Sequence, residues 1–282
     1  MVKVKSSRVI FVHLLNDYSG SPLVLSQIID ATVLNEKVSE VELYVGSQGV
    51  GFLSDKECLT NTYFYRRDKN KFFTFVNFLL SQIVLFFKLL KYSNQDVRIY
   101  VNTMLPFGAA LAGKLMNKEV IYHVHETSLK PQIYKLFLRW IVNITASKIV
   151  YVSEYLHRTE VFKNVKQTVI YNCLRKEFSE AAALNIYPFN SDKFNVLMAC
   201  SLKSYKGVNE FVNIAEMCSH RNDIVFTLIL NCLDNEITDY FYNIIIPENL
   251  FIFPYQSDLK KFYSDASLVL NLSKPDEWVE TF

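Results

Sequence analysis

Short runs of β-branched and aromatic residues recur along the chain, each followed by a stretch with helical spacing. This alternation limits the fold more than any other feature. In the first half the runs are VIFVHLL, VELYV, TYFY, VRIYVN, EVIYHV, KIVYV and TVIYN. Helical patterns fill the spaces between them, over 22–34, 70–92, 106–116, 130–145 and 153–162. Strand, helix, strand, repeated, means parallel pairing through right-handed crossovers. Several runs are apolar at almost every position, as expected of strands whose sheet is covered by helices on both faces.

The rhythm breaks at 175–192, RKEFSEAAALNIYPFNSD, which has no strand signal and carries a proline and several polar residues. It reads as a connection between domains. Beyond it the alternation resumes with KFNVLMAC, a helix near 207–219, DIVFTLIL, a helix near 234–244, NLFIF, a short helix near 257–264 and SLVLNL. The expected architecture is α/β, with two Rossmann-like, doubly wound domains. The first covers 1–176, the connection covers 177–192, and the second covers 193–282. With four strands, the second domain reads as incomplete, since doubly wound domains usually carry more.

At 282 residues, half of them hydrophobic, the chain has ample material for two cores. A net charge of +2 and the lack of a long basic run argue against a nucleic-acid partner. The cysteines, Cys58, Cys173, Cys200, Cys218 and Cys232, are odd in number and spaced unlike a zinc site. They read as reduced core residues of a cytoplasmic protein. The N-terminal apolar run is short, holds His13 and has no small-residue cleavage site after it, so it reads as a first strand.

The stretch KNKFFTFVNFLLSQIVLFFKLLK is long and mostly apolar. Thr74, Asn77, Ser81 and Lys88 recur on one helical face, a stripe that a bilayer-spanning helix tolerates poorly. Lys69, Lys71, Lys88 and Lys91 flank its ends. Three readings stand: a helix packed on a sheet, one that also rests on a membrane surface and, least favoured, a span.

In open parallel sheets, ligands bind beyond the carboxyl ends of the strands. After the first strand, NDYSGSPLVLSQI puts Gly20 and Ser21 at a turn into a helix. There the backbone can approach a ligand and free N–H groups can meet an anion. A plain turn glycine is the alternative. After the fifth strand, YHVHETS puts His123 and His125 on one side of the strand. They are either a buried polar cluster or groups that hydrogen-bond a reacting hydroxyl. No third ligand lies nearby in sequence to make a metal site. After the first strand of the second half, SLKSYKGVNEF carries Ser201, Lys203, Lys206 and Gly207. Two cations beside a helix N-terminus suit a phosphate, the alternative being a solvated basic turn. After the last strand, NLSKPDEWVETF carries Asp276, Glu277 and Glu280, which suit the hydroxyls of a sugar or ribose, although taken alone the cluster reads first as an ordinary acidic loop.

Taken in order, these pieces resemble one family. They are the Gly20 loop, HVHE, YVSEYLHR, VIYNCL, SLKSYKG, FPYQSDLKKFYSDASLVLNLS and PDEWVETF. The chain is similar to retaining nucleotide-sugar glycosyltransferases of the GT-B fold. Within them it looks most like the family-4-like bacterial group that builds surface polysaccharide and lipopolysaccharide. The resemblance implies a donor-phosphate lysine at Lys206, next to Gly207. It implies a strand-end histidine near the reacting centre at His125, and a donor-phosphate loop at Gly20 and Ser21. Ser201 stands where many members carry an arginine, with Lys203 as a substitute cation. ETF matches the start of the family's E-x7-E motif, which makes Glu280 its first glutamate, near the transferred sugar. The second glutamate would fall beyond Phe282, so the chain reads as truncated within that motif. The resemblance implies no metal and no cofactor. The partners it implies are a nucleotide sugar and a glycan or lipid-linked acceptor. The implied location is cytoplasmic, peripheral on the inner face of the membrane, through 70–92. The alternatives are a non-catalytic remnant or binding module of the same fold, a nucleotide-sugar epimerase, and, least favoured without a signal peptide, a periplasmic-type binder.

Overall fold

The computed structural model describes residues 7–47, 49–125, 131–184 and 193–274. The chain divides into one unit ending at Cys173 and a second beginning at Leu174. Each is an α/β unit built on a parallel sheet.

In the first unit, β1 (Ser7–His13) is followed by α1 (Gly20–Val33), β2 (Val38–Gly46) and β3 (Leu59–Tyr63). Then come α2 (Lys71–Leu89), β4 (Val97–Asn102), α3 (Phe107–Leu115), β5 (Glu119–Val124) and α4 (Gln132–Thr145). The unit finishes with β6 (Lys148–Tyr151), α5 (Glu154–Thr159) and β7 (Lys166–Val169). Among the described residues the sheet has seven strands in the order β3-β2-β1-β4-β5-β6-β7, all parallel. The order reverses between β1 and β4.

Successive residues of β1 serve opposite faces, and each face finds a cover. Val9 and Phe11 pack with Leu25 and Ile29 of α1. Ile10 and Val12 share a cluster with Leu85 of α2, Ala109 of α3 and Val142 of α4. Two-sided burial explains the nearly continuous apolar runs.

In the second unit, α6 (Lys176–Leu184) precedes β8 (Phe194–Cys200), α7 (Val208–Met217) and β9 (Ile224–Leu230). After these come α8 (Asp234–Phe241), β10 (Leu250–Phe253), α9 (Lys260–Ser264) and β11 (Leu268–Val269). The described strands lie in the order β10-β9-β8-β11, again parallel, and reverse between β8 and β11. One face is closed by Phe211 and Val212 of α7 and Phe241 of α8 over Val196, Met198, Phe226 and Leu228. On the opposite face, Phe251 and Val269 are about half exposed.

Four sequence expectations shift. The seventh strand is Lys166–Val169 and shares only Thr168 and Val169 with the expected TVIYN. The run 175–192 was expected to be a connection only, yet it carries α6, whose EAAA stretch is a good helix former. The third strand is Leu59–Tyr63, not TYFY at 62–65. Its register is set by the Asn61 amide donating to the Glu42 carboxylate, while Tyr63 Oη donates to the carbonyl of His13. The last strand pairs only over Leu268–Val269 of the expected SLVLNL.

Candidate active site

The first unit's candidate residues gather where its strand order reverses. β1 ends at His13 and β4 ends at Asn102, and a parallel sheet puts both termini on the same edge. The Asn102 side chain links the pieces. Its Nδ2 donates to the carbonyl of Ser21, 3.1 Å away, in the first turn of α1. Its Oδ1 lies 2.9 Å from His125 Nε2, which must donate there because an amide oxygen only accepts. His13 Nδ1 sits 3.2 Å from Asn102 Nδ2 and 3.3 Å from the Asn102 carbonyl oxygen. These last two contacts are alternatives chosen by the His13 tautomer.

His123 stacks beside His125, ring centroids 4.3 Å apart, as strand alternation requires. It is 2% exposed, and among the described residues neither ring nitrogen has a hydrogen-bond partner. Burial drives all three histidines toward the neutral form. His13 and His123 fall to about 4. His125 is held well below its ordinary value by burial first, then by its two histidine neighbours. At neutral pH the three histidines of this edge are uncharged and polar. Thr103, the next residue, takes a left-handed conformation (φ 70°), and its N–H donates to the His123 carbonyl. Strain of this kind in a β-branched residue clusters at functional sites.

Gly20 opens α1, and a Cβ added there would meet nothing within 4 Å. The N-cap Ser19 makes no capping bond to α1. Its own N–H and hydroxyl both donate to Asp17 Oδ1. The β1–α1 loop is held from below: a Cβ at Gly51 would come within 2.3 Å of the Asp17 backbone, so only glycine permits that approach.

The second unit repeats the geometry with different side chains. After β8 the chain makes a 3-10 turn, Ser204–Lys206, and enters α7 through Gly207. Gly207 has φ 78°, and a Cβ there would lie 2.4 Å from the Leu272 carbonyl oxygen. Both facts demand glycine. The two lysines, equivalent in sequence, part company here. Lys203 is exposed, whereas Lys206 is 9% exposed with its Nζ 5.3 Å from the Tyr205 ring centre. Burial pulls the Lys206 amine below its ordinary value. The same burial raises the Cys200 thiol to about 11, which leaves it a neutral neighbour. Ser201 is half-buried, and its carbonyl accepts from the Lys203 N–H.

Residues after β11 complete the turn. The Lys274 N–H donates to the Tyr205 carbonyl, and Lys274 Nζ is paired with Glu210 of α7 at 2.7 Å. That hydrogen bond to Lys274 holds the Glu210 carboxyl below its usual value. Lys206 therefore sits beside the α7 N-terminus, where backbone N–H groups and the helix dipole favour an anion.

Glu280, with Asp276 and Glu277, lies outside the described residues, as does Glu126. Asn102, His13 and Lys274 were not expected as site residues. Asn102 ends VRIYVN, so the strand-end rule that selected His125 points to it as well. Lys274 is the first cation after the last strand. Among the described residues, no three His, Cys, Asp or Glu side chains gather as a metal site. A cavity of about 300 Å³ in the second unit, lined by Arg175, Phe178 and Asp258 among others, contains none of the expected site residues.

No family model and no curated protein matches this sequence. Solved structures do match in fold. The Anabaena protein Alr3699/HepE, solved in complex with UDP, superposes with a TM-score of 0.70 at 16% identity, over 94% of this chain and 74% of its own. A glycosyltransferase from Rickettsia africae gives 0.66 at 16% identity, over 95% and 73%. The lipopolysaccharide outer core galactosyltransferase WaaB gives 0.63 at 13% identity, over 94% and 74%. The fold is the GT-B fold.

Proposed function

We propose that this chain is a glycosyltransferase that moves a sugar from a nucleotide-sugar donor to an acceptor hydroxyl, with retention at the anomeric carbon, in bacterial surface-glycan synthesis. The observation that carries the proposal is the second unit's switch point, where the buried cation of Lys206 stands at the N-terminus of α7 in a GT-B fold. When the anomeric C–O bond to the donor's β-phosphate breaks, negative charge grows on the departing diphosphate. A charge-assisted hydrogen bond from Lys206 and the N–H groups of α7 stabilise that charge more than the ground state. A lysine already desolvated and seated against Tyr205 loses little freedom on meeting the phosphate.

In the first unit, neutral His125 would hydrogen-bond hydroxyls at the transferred sugar. Asn102 is a positioning residue that fixes the tautomer of His125. Gly20 and Ser21 offer the α1 backbone to the donor. Glu280 is assigned to donor hydroxyls by resemblance alone. Nucleotide sugars are cytoplasmic metabolites, so the reaction is assigned to the cytoplasm. No metal is assigned a role.

The experiment is a donor screen with a panel of nucleotide sugars, following release of nucleoside diphosphate and identifying the sugar product. The expected result is release with at least one donor, cut by about tenfold to a hundredfold in Lys206→Ala, the worth of one hydrogen bond to a charged group. Unchanged release in that variant overturns the assignment of Lys206. A free isomerised sugar nucleotide as the product replaces transfer with epimerisation. Nucleoside diphosphate binding by calorimetry, with no turnover on any donor, favours the non-catalytic reading.

A further inference from the structure

Helix α2 is turned inside out relative to a soluble surface helix. Its polar stripe faces the protein and is consumed there. Asn77 Nδ2 donates to the Arg66 carbonyl, Lys88 Nζ donates to the Thr62 carbonyl, and Ser81 Oγ donates to the Phe78 carbonyl. Thr74 Oγ1 bonds both the carbonyl and the N–H of Asp68. Beside Ser81, Gln82 Oε1 accepts from the Gly108 N–H of α3. Phe78, Leu85 and Leu89 fill the core from the same side. The opposite face carries Phe72, Phe73, Ile83 and Phe87, exposed by 66%, 55%, 54% and 65%.

Helix α4 does the same by another device. Its two cations, Lys135 and Arg139, both bond Glu160, whose side chain is buried. Removing them from the surface leaves an outward stripe of Ile133, Leu136, Trp140 and Ile144 at helical spacing. The two faces are continuous: Tyr134 of α4 makes edge contacts with Phe75 and Phe78 of α2. An apolar surface of this breadth marks a docking site in a folded protein.

We propose that the α2–α4 face lies in the plane of an anionic phospholipid surface. Charge selects this occupant. From 69 to 95 and from 131 to 145 the sequence contains no Asp or Glu. Arg66, Arg67, Lys69 and Lys71 are exposed at one end of α2, beside the single carboxylate of Asp68, and Lys91 is exposed at the other. An apolar face rimmed by cations, with Trp and Phe in the contact zone, suits the headgroup–acyl boundary of an anionic leaflet. By length and composition alone, Lys71–Tyr92 is long and apolar enough to cross a membrane. A span would strip Phe78, Leu85 and Leu89 from the core and leave the Asn77 and Ser81 side chains in hydrocarbon, so the contact is in-plane. The proposal does not depend on glycosyl transfer, and nucleotide binding is measured separately from it.

The test is flotation of the full chain with vesicles of phosphatidylcholine alone or mixed equally with phosphatidylglycerol. Binding is expected to the mixed vesicles, weakened by salt. Ile83→Asp with Phe87→Asp should lower it by roughly a hundredfold, two large apolar contacts being lost. Lys69→Ala with Lys71→Ala leaves the packing alone and should lower it by roughly fivefold per charge. In a Trp278→Phe background, Trp140 emission should move to shorter wavelength on adding the mixed vesicles. No binding to mixed vesicles overturns the proposal. Equal affinity for both vesicle types overturns its electrostatic half. A concentration-dependent dimer abolished by the Asp substitutions, with no vesicle binding, reassigns the face to a second copy of the chain.

Discussion

Both sheets reverse their strand order beside their own first strand, and they furnish that point with opposite chemistry. At β1 and β4 the working groups are three histidines emptied of charge by burial, two of which, His13 and His125, are joined through Asn102. At β8 and β11 the groups are charged: Lys206 seated on Tyr205, and Lys274 paired with Glu210. One topology thus supplies one place to work, and the loop residues decide whether it attracts an anion or receives a hydroxyl. The contrast extends to the two glycines. Gly207 is compelled by its backbone and by Leu272, whereas Gly20 faces open space.

The contrast can be broken most sharply with acid. His13 and His123 lie near 4 in the folded protein, against 6.5 as the ordinary value. Below 6.5 the unfolded chain takes up protons that the folded chain refuses. Their stabilising contribution is therefore complete above 6.5 and is lost as the pH falls toward 4. Each histidine accounts for about 3 kcal/mol across that window. Urea unfolding followed by circular dichroism should show His123→Phe flattening the decline between these limits, while Lys206→Ala leaves it unchanged. A parallel decline in both proteins would mean that the histidine edge is open to water.

Next in size is Gly207→Ala. A left-handed Ala costs about 1–2 kcal/mol and the contact with Leu272 adds about as much, so the second unit should lose roughly 3 kcal/mol by urea titration. Smaller in free energy is Lys206→Ala, at about 1.5–3 kcal/mol of nucleoside diphosphate affinity by calorimetry. His125→Ala should change that affinity by less than twofold while lowering turnover. Equal losses of affinity in both variants would erase the division of labour. Smallest is Gly20→Ala, within about 0.5 kcal/mol of the parent in urea, since the position has space and an ordinary backbone. A drop as large as that of Gly207→Ala would remove the distinction between the two glycines.

Much of this was legible in the sequence because two-sided burial writes itself as continuous apolar runs. Nine of the eleven described strands overlap the expected runs closely, and β3 and β7 overlap theirs over two residues each. α6 was hidden because its residues pack little and leave no apolar period. At the sites, His125, Lys206 and Gly207 were visible as strand-end residues. Asn102 also stands at a strand end, but its importance was hidden because it comes from bonding three segments far apart in sequence. The separation of Lys203 from Lys206 was also invisible, since both amines lie over the Tyr205 ring and the turn buries only Lys206. The polar stripe of α2 was read correctly as one face, but spacing alone does not say which face turns inward. That was decided by the backbone carbonyls of Arg66 and Thr62.

The seat of Lys206 is assembled from both ends of its unit. The turn follows the unit's first strand, yet the groups that hold it, the Leu272 carbonyl against Gly207 and the Lys274 N–H on Tyr205, follow the unit's last described strand. A nascent chain that has emerged only as far as β9 therefore has the lysine without its clasp. Anion capture by this turn should appear when the residues after β11 dock, and not when Lys206 itself leaves the ribosome.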